Sequence, residues 1–287
     1  AGSHIRIYYR ADADWGMSVQ KPYANYQREL TDINLMDYRQ FYQGIPSGPQ
    51  RIGPNPSAFL RFPTTDGAKR GRGDATYRHK RGAAHDQDAL VYEEKDERFE
   101  LAARRSASKA YVFLTSSSHT ASEVRYLAAD RPDDPFRLIA ARETNHEYYV
   151  EHHGDRFFIR TNQNAPNFRL VSAPVTDPGK ANWQEVVPHR TDVMLSGLVM
   201  FANHYVLGER EGGLPQLTVT DFRSGASHRM AFPEPVYSAG FSTNAEYETG
   251  TFRYTYQSFI TPSSVYDYDM ETRKATLLKQ TEVLGGY

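Results

Sequence analysis

Short runs in which hydrophobic and polar residues alternate fill the chain from Phe99 onward, and each run covers six to eight residues. Alternation with a period of two is the pattern of a half-buried β-strand. The runs come in sets of three that recur about every 45–50 residues. In chain order the sets are 110–115, 122–129 and 136–141; 156–161, 167–174 and 183–188; 204–209, 215–222 and 227–232; and 252–257, 263–269 and 275–280.

The segments between runs contain turn-forming residues. Glycine occurs in each of the segments 153–155, 211–214 and 223–226, and it accepts the backbone angles that tight hairpins need. Three or four short strands per unit at this period are typical of propeller blades. We therefore predict an all-β protein, a β-propeller, with an irregular β-sandwich as the alternative.

The N-terminal quarter has a different character. Residues 5–10 predict a strand, and residues 25–41 predict a helix that begins after Asn25. Residues 44–73 are dense in Gly and Pro, which is typical of a loop or linker.

We therefore divide the chain into two parts. Residues 1–74 form an unassigned N-terminal segment that includes this linker, and residues 75–287 form the blades. The opening AlaGlySerHis is typical of an expression scar, so the native N-terminus is not visible in the sequence.

Composition narrows the function classes. The net charge of -1 and the pI of about 6.9 give no reason to expect a nucleic-acid partner or an acidic membrane surface. Without cysteine the chain has no disulfide, thiolate nucleophile or Cys-ligated metal, which suits a cytoplasmic protein. The sequence contains no run of 18 apolar residues, so it predicts no membrane-spanning helix.

Six segments of the chain are distinctive: 90–99, 122–127, 153–162, 167–174, 187–194 and 261–287. In this order they resemble the β-propeller domain of the prolyl oligopeptidase family of serine peptidases, and in particular its oligopeptidase B branch. The resemblance covers about residues 76–287 and implies the last four to five blades of a seven-bladed propeller, so we expect an incomplete one.

This resemblance implies a function. In the family, the propeller covers the active site of an α/β-hydrolase domain and limits access to short peptides, which oligopeptidase B-like enzymes cleave after Lys or Arg. The Ser–Asp–His triad belongs to that hydrolase domain, which we expect to be absent from this chain. The chain alone is therefore predicted to be inactive.

Two other functions remain open. One is a free-standing propeller-like module that binds a peptide or protein, and the other is a propeller enzyme that acts on carbohydrate. Because four to five blades cannot close a seven-bladed ring, we also expect apolar blade faces to remain uncovered and to favour a homo-oligomer.

Serines are the first residues to test for chemistry, because a hydrolase of this type needs a Ser in G-x-S-x-G on a strand-to-helix turn. Ser18, Ser227 and Ser242 follow a Gly at the right spacing, but each lacks the second Gly. The run 116–118 lies next to His119, and we interpret it as a loop because a triad is defined by geometry and not by adjacency.

Other polar groups are interpreted in the same way. His152 and His153 point to opposite sides of a strand, which argues against a metal site made with His146 and Asp155. Basic residues at 69–72 and 78–81 are interpreted as a solvated linker. The carboxylates interpreted as a solvated face are Glu93, Glu94, Asp96, Glu97, Asp267, Asp269 and Glu271. We therefore assign no catalytic, cofactor-binding or metal-binding residue and expect no cofactor.

Overall fold

A computed structural model describes residues 7–9, 58–62, 75–80, 87–283 and 285. These residues form twenty β-strands and a short 3-10 helix at Lys180–Asn182. No α-helix is found within the described ranges, and none of their helical segments has the length and apolarity needed to cross a bilayer. The prediction of an all-β protein is confirmed.

The strands form five four-stranded sheets, which we call blades 1 to 5. Blade 1 contains β1 (Ile7–Tyr9), β2 (Ala58–Phe62), β3 (Ala75–Lys80) and β4 (Ala89–Glu93). Blade 2 contains β5 (Glu100–Arg105), β6 (Tyr111–Ser117), β7 (Ser122–Ala128) and β8 (Arg137–Ala140). Blade 3 contains β9 (Tyr148–His153), β10 (Arg156–Thr161), β11 (Arg169–Pro174) and β12 (Gln184–Val187).

The last two blades complete the described chain. Blade 4 contains β13 (Val193–Met200), β14 (His204–Glu211), β15 (Leu214–Asp221) and β16 (Ser227–Arg229). Blade 5 contains β17 (Tyr237–Phe241), β18 (Thr251–Ser258), β19 (Ser264–Asp269) and β20 (Lys274–Gln280). Consecutive strands pair antiparallel in every blade except at β1 and β2, which are parallel.

The chain divides into two compact units, Ala1–Asn145 with blades 1 and 2, and His146–Tyr287 with blades 3 to 5. The core of the first unit is aliphatic and includes Leu101, Val112 and Leu114. The core around blades 4 and 5 is aromatic, as alternate residues of β18 show: Phe252 and Tyr254 are buried. Each large side chain buried in this way contributes about 1.5–3 kcal/mol to stability.

The other face of blade 5 changes one expectation. Its β18 residues are exposed and polar: Thr251, Arg253, Thr255 and Gln257. Arg253 forms an ion pair with Asp267 of β19 at 2.7 Å. The homo-oligomer was predicted because uncovered apolar blade faces would favour association. This face of blade 5 is polar, so it is not such a surface. The oligomer itself stays a prediction.

In each of blades 2 to 5, the three predicted runs correspond to the second, third and fourth strands. The first strands of these blades, β5, β9, β13 and β17, were not predicted as members of the repeat, although the sequence did place His152 and His153 of β9 on a strand. In β13 a bulge shifts the register between Leu195 and Gly197, and this interrupts the alternation that identifies a strand.

The N-terminal quarter matches the expectations only in part. Strand β1 confirms the strand predicted at 5–10, whereas the helix predicted at 25–41 lies outside the described residues. The linker interpretation of 44–73 is wrong for Ala58–Phe62, which forms β2 and pairs with β1 and β3. Gly and Pro punctuate this segment, but five consecutive residues without either are enough for a strand. The division at residue 74 stays a prediction.

Candidate functional site

An open cleft of about 610 Å³ lies beside β12 of blade 3 and one face of blade 4. Antiparallel pairing places the side chains of β14 and β15 on this face, because alternate residues of each strand point the same way. Its lining combines apolar and polar groups: Phe158, Val186, Val187, Tyr205, Leu207 and Phe222, together with Arg190, Glu209, Thr218, Thr220, Asp221, Gly225, Ser227, His228 and Arg229.

The buried carboxylate of Glu209 is the main charged group in the cleft, and the residue is 3% exposed. It forms an ion pair with Arg190 and accepts a hydrogen bond from the Thr218 hydroxyl at 2.6 Å. Arg229 lies 3.8 Å away and also pairs with Glu211. The negative charges of Glu209 and Glu211 are thus balanced by the positive charges of Arg190 and Arg229.

Aromatic rings close one end of the cleft. The ring of Phe222 stacks on His153 with centroids 3.8 Å apart, and it packs against Phe158 at 5.5 Å and Tyr205 at 5.1 Å. His153 is held in this position because its Nε2 lies 2.9 Å from the carbonyl oxygen of Ala202. The cleft therefore offers an apolar wall beside a charged floor.

The hydroxyl and imidazole groups of the cleft do not form a nucleophile–base pair. Ser227 shares a hydrogen bond with Thr220 at 2.8 Å. His228 next to it bonds instead to the Tyr268 hydroxyl at 2.9 Å, and burial is the main reason that the pKa of His228 is lowered. Nucleophilic catalysis needs the base within hydrogen-bond reach of the nucleophile, and Ser227 and His228 are not arranged in that way.

A second charged network lies in the first unit, around Arg142. Its guanidinium group lies 2.5 Å from Glu94 and 3.5 Å from Glu123, and it covers the ring of Phe99 at 4.0 Å. The Ser116 hydroxyl also donates to Glu94. Burial by itself raises the pKa of Glu94, but the hydrogen bonds from Arg142 and Ser116 outweigh it and leave that pKa below its ordinary value.

The remaining serine candidates lie in or beside strands. Ser116 is buried in β6, and Ser117 ends that strand. The Ser118 hydroxyl accepts a hydrogen bond from the backbone N–H of Ala121 at 3.2 Å. Ser242 directly follows β17, while Ser18 lies outside the described residues. No described candidate lies on a strand-to-helix turn.

The histidines considered together in sequence are separated in space. His146 is buried, with its Nε2 2.9 Å from the Thr161 hydroxyl and its Nδ1 3.1 Å from Lys180 Nζ. His152 packs edge-on against Phe157, whereas the neighbouring His153 stacks on Phe222.

The carboxylates play different roles. Glu94 is buried, which corrects its interpretation as part of a solvated face. Asp269 caps the turn after β19 by accepting hydrogen bonds from the N–H groups of Glu271 and Thr272. Asp96 bonds to Arg98, which lowers the pKa of Asp96 to about 2.

The basic segments are described only in part. Arg78 donates to the carbonyl oxygen of Asp134 at 3.1 Å and pairs with Asp133. His79 lies 2.6 Å from Asp88. Residues 69–72 lie outside the described ranges.

One group of possible ligands is brought together by the fold and was not predicted from the sequence. His204, Asp221 and Glu271 place ligand atoms within 4.8 Å of one another. His204 and Asp221 are cross-strand partners in blade 4, and Glu271 comes from the turn after β19 in blade 5. The turn at 211–214 predicts the first pairing, because it sets the hairpin register. Nothing local in the sequence predicts the third member.

The geometry agrees with known proteins. A family model described as the prolyl oligopeptidase N-terminal β-propeller domain matches residues 61–281. Dipeptidyl aminopeptidase BI of Pseudoxanthomonas mexicana is 37% identical over 208 residues, which is 72% of this chain and 28% of that protein. Protease 2 of Moraxella lacunata is 31% identical over 212 residues, which is 74% of this chain and 30% of that protein.

Solved structures of similar proteins lead to the same family. Oligopeptidase B from Trypanosoma brucei, in a closed form with covalently bound antipain, has a TM-score of 0.74 and 25% identity, covering 82% of this chain and 34% of its own. Oligopeptidase B from Leishmania major has a TM-score of 0.73 and 26% identity, and it also covers 82% of this chain and 34% of its own. The chain thus spans less than a third of the curated relatives named above. It belongs to the prolyl oligopeptidase family, and residues 61–281 are its N-terminal β-propeller domain.

Proposed function

We propose that the chain is the substrate-gating propeller of an oligopeptidase B-like serine peptidase that cleaves short peptides after Lys or Arg. The observation that carries this proposal is the match of residues 61–281 to the family's propeller domain, together with the likeness to oligopeptidase B structures of which the chain covers 34%. Gating and specificity for Lys or Arg come from the family resemblance.

The polar groups of the described residues support a non-catalytic role. The Ser116 hydroxyl donates a hydrogen bond to Glu94, and Ser227 shares one with Thr220. The imidazole next to Ser227, that of His228, bonds to Tyr268 instead. Glu209 and Glu94 are each paired with an arginine. The proposed source of the chemistry is therefore a partner, an α/β-hydrolase domain, and the proposed compartment is the cytoplasm.

A domain exchange tests this proposal. The whole chain replaces the corresponding propeller region of the Pseudoxanthomonas mexicana relative, whose own hydrolase region is kept. We expect the chimera to hydrolyse a short Arg- or Lys-amide and to spare a long unfolded protein of the same basic content. The same enzyme without any propeller should lose this discrimination.

The decisive result is the ratio of the two rates. A chimera that folds, reacts with a serine-directed inhibitor and cleaves the long protein as fast as the short amide would overturn the gating role. Equal cleavage after Lys, Arg and neutral residues would show that this propeller does not contribute to the proposed specificity.

The cleft favours a second candidate, a module that binds a peptide or protein. Its apolar wall around Phe222 and its charged floor around Glu209 resemble the mixed lining of a recognition site. Binding of short basic peptides to the chain alone, weakened by Phe222→Ala and unchanged by the exposed His119→Gln, would support it. Peptides that bind only when a hydrolase domain is present would count against it.

A further inference from the structure

The cluster of His204, Asp221 and Glu271 lies where blade 4 meets blade 5. The Nε2 atom of His204 is 3.9 Å from Asp221 Oδ2 and 3.7 Å from Glu271 Oε1. His204 itself is 2% exposed, whereas the Glu271 side chain is 52% exposed. A buried imidazole thus points at two carboxylates that are accessible from the surface.

His204 lacks the hydrogen bonds that a buried imidazole normally makes. Its Nδ1 is buried and has no hydrogen-bond partner. Its Nε2 lies beyond hydrogen-bond distance of both carboxylates, since such bonds are about 2.7–3.2 Å long. The observation that points to an ion concerns Nε2, which faces the two carboxylates and bonds to neither. A bound ion is one explanation for a buried polar group without a partner, and an ion between the carboxylates would give Nε2, though not Nδ1, its partner.

We propose that His204, Asp221 and Glu271 bind a divalent transition-metal ion, with zinc as the best fit, and that the ion links blade 4 to blade 5. One imidazole nitrogen and two carboxylate oxygens are ligands that zinc accepts at about 2.0–2.2 Å. In tetrahedral geometry such ligand atoms lie about 3.4 Å apart, so closing distances of 3.7 and 3.9 Å requires only small side-chain movements. Magnesium and calcium prefer all-oxygen sites.

Arg223 is the competitor for this site. Its guanidinium group bonds to Asp221 Oδ2 at 2.9 Å and also contacts Glu271 Oε1. A guanidinium group and a dication cannot share the same two oxygen atoms, because both are positively charged. The Arg223 side chain is 58% exposed, so it can leave toward solvent when the metal binds.

Removing Arg223 therefore distinguishes a metal site from a purely structural ion-pair cluster. If the three residues are only a structural ion-pair cluster, removing Arg223 weakens the cluster and creates no metal affinity. If they form a metal site, Arg223→Met removes the competing cation and leaves the three ligands in place. Zinc affinity should then rise, by about tenfold for each 1.4 kcal/mol of competition removed.

The test is titration of the full chain with Zn²⁺ by calorimetry, and with Co²⁺ by visible absorption, which reports the coordination geometry. We expect one equivalent to bind, Mg²⁺ not to compete, and the melting temperature to rise with Zn²⁺. His204→Gln and Glu271→Gln should each weaken binding at least tenfold. Glu271 is exposed, so its variant should fold normally even if the His204 variant does not.

His119→Gln is the matched control, because His119 is exposed and lies outside the cluster. It should bind Zn²⁺ as the unaltered chain does. Failure of the unaltered chain and of Arg223→Met to bind stoichiometric Zn²⁺ would overturn the proposal. Binding that Glu271→Gln leaves intact, or that Arg223→Met weakens, would overturn it as well.

Discussion

The ring of Phe241 in blade 5 lies directly against the backbone of Gly197 in blade 4. A Cβ atom on Gly197 would lie 2.6 Å from Cε2 of this ring, and a Cβ on Gly208 would lie 2.9 Å from Cζ. Paired glycines in β13 and β14 thus make the space that lets an aromatic ring of the next blade approach the sheet.

Gly197→Ala should therefore destabilise the protein by about 1–3 kcal/mol, as overpacking of a filled site does. Urea unfolding monitored by circular dichroism gives the free energy of unfolding. Gly250→Ala is the control, because nothing lies within 4 Å of its added Cβ. Phe241→Leu should recover part of the loss in the Gly197→Ala background but cost stability alone. Additive effects of the two changes would contradict the contact.

Arg142→Met should destabilise the first unit by about 3–5 kcal/mol at pH 7, because it leaves the buried carboxylate of Glu94 unpaired. Glu94 has a lowered pKa in the folded protein, so its contribution is present above the unfolded pKa of about 4.3 and disappears as the pH falls further. The deficit of the variant should therefore persist down to about pH 4.3 and shrink as the pH falls below that value.

Unfolding curves at pH 7 and at about pH 3 measure this difference. Glu94→Gln with Arg142→Met should be less damaging at pH 7 than Arg142→Met alone, since the amide carries no charge to leave unpaired. A deficit that stays the same at both pH values would argue that Arg142 acts only by packing on Phe99.

His152 should make stability fall below pH 7. Its pKa is lowered in the folded protein mainly by burial, with Glu151, His153 and Asp155 as the charged neighbours. The unfolded chain then binds the proton more readily, so the free energy of unfolding decreases as the pH drops through about 6.5 toward the lower folded value.

Thermal melts between pH 7.5 and pH 5 compare the unaltered chain with His152→Gln. The variant should lose less stability over this range, because its side chain does not titrate. His119→Gln, at an exposed position, should follow the unaltered chain. Equal slopes for all three proteins would refute the assignment to His152.

The chain alone should not hydrolyse Arg- or Lys-amide substrates. The described candidate serines lie in or beside strands, and the Ser116 and Ser227 hydroxyls bond to Glu94 and Thr220. Turnover by the pure protein that Ser116→Ala or Ser227→Ala abolishes would show that one of them is a nucleophile. Turnover that both variants retain would point to another serine, such as Ser18 or Ser242, or to a contaminating peptidase.

The hydrophobic pattern was sufficient for the main strands of blades 2 to 5. In β18, for example, buried Phe252 and Tyr254 alternate with exposed polar residues, so the period of two is visible in the sequence itself. The pattern was not sufficient for β13, where a bulge breaks the alternation, nor for β2, which lies between Gly- and Pro-rich stretches.

Local sequence also determined which residues face each other across a hairpin. The turn at 211–214 pairs His204 with Asp221, because the number of turn residues sets the register. It does not place Glu271 beside them, and it does not bury Glu94 against Arg142, 48 residues later. Only the packing of one blade on the next decided these contacts, since alternation along a strand shows which residues are buried but not what lies across from them.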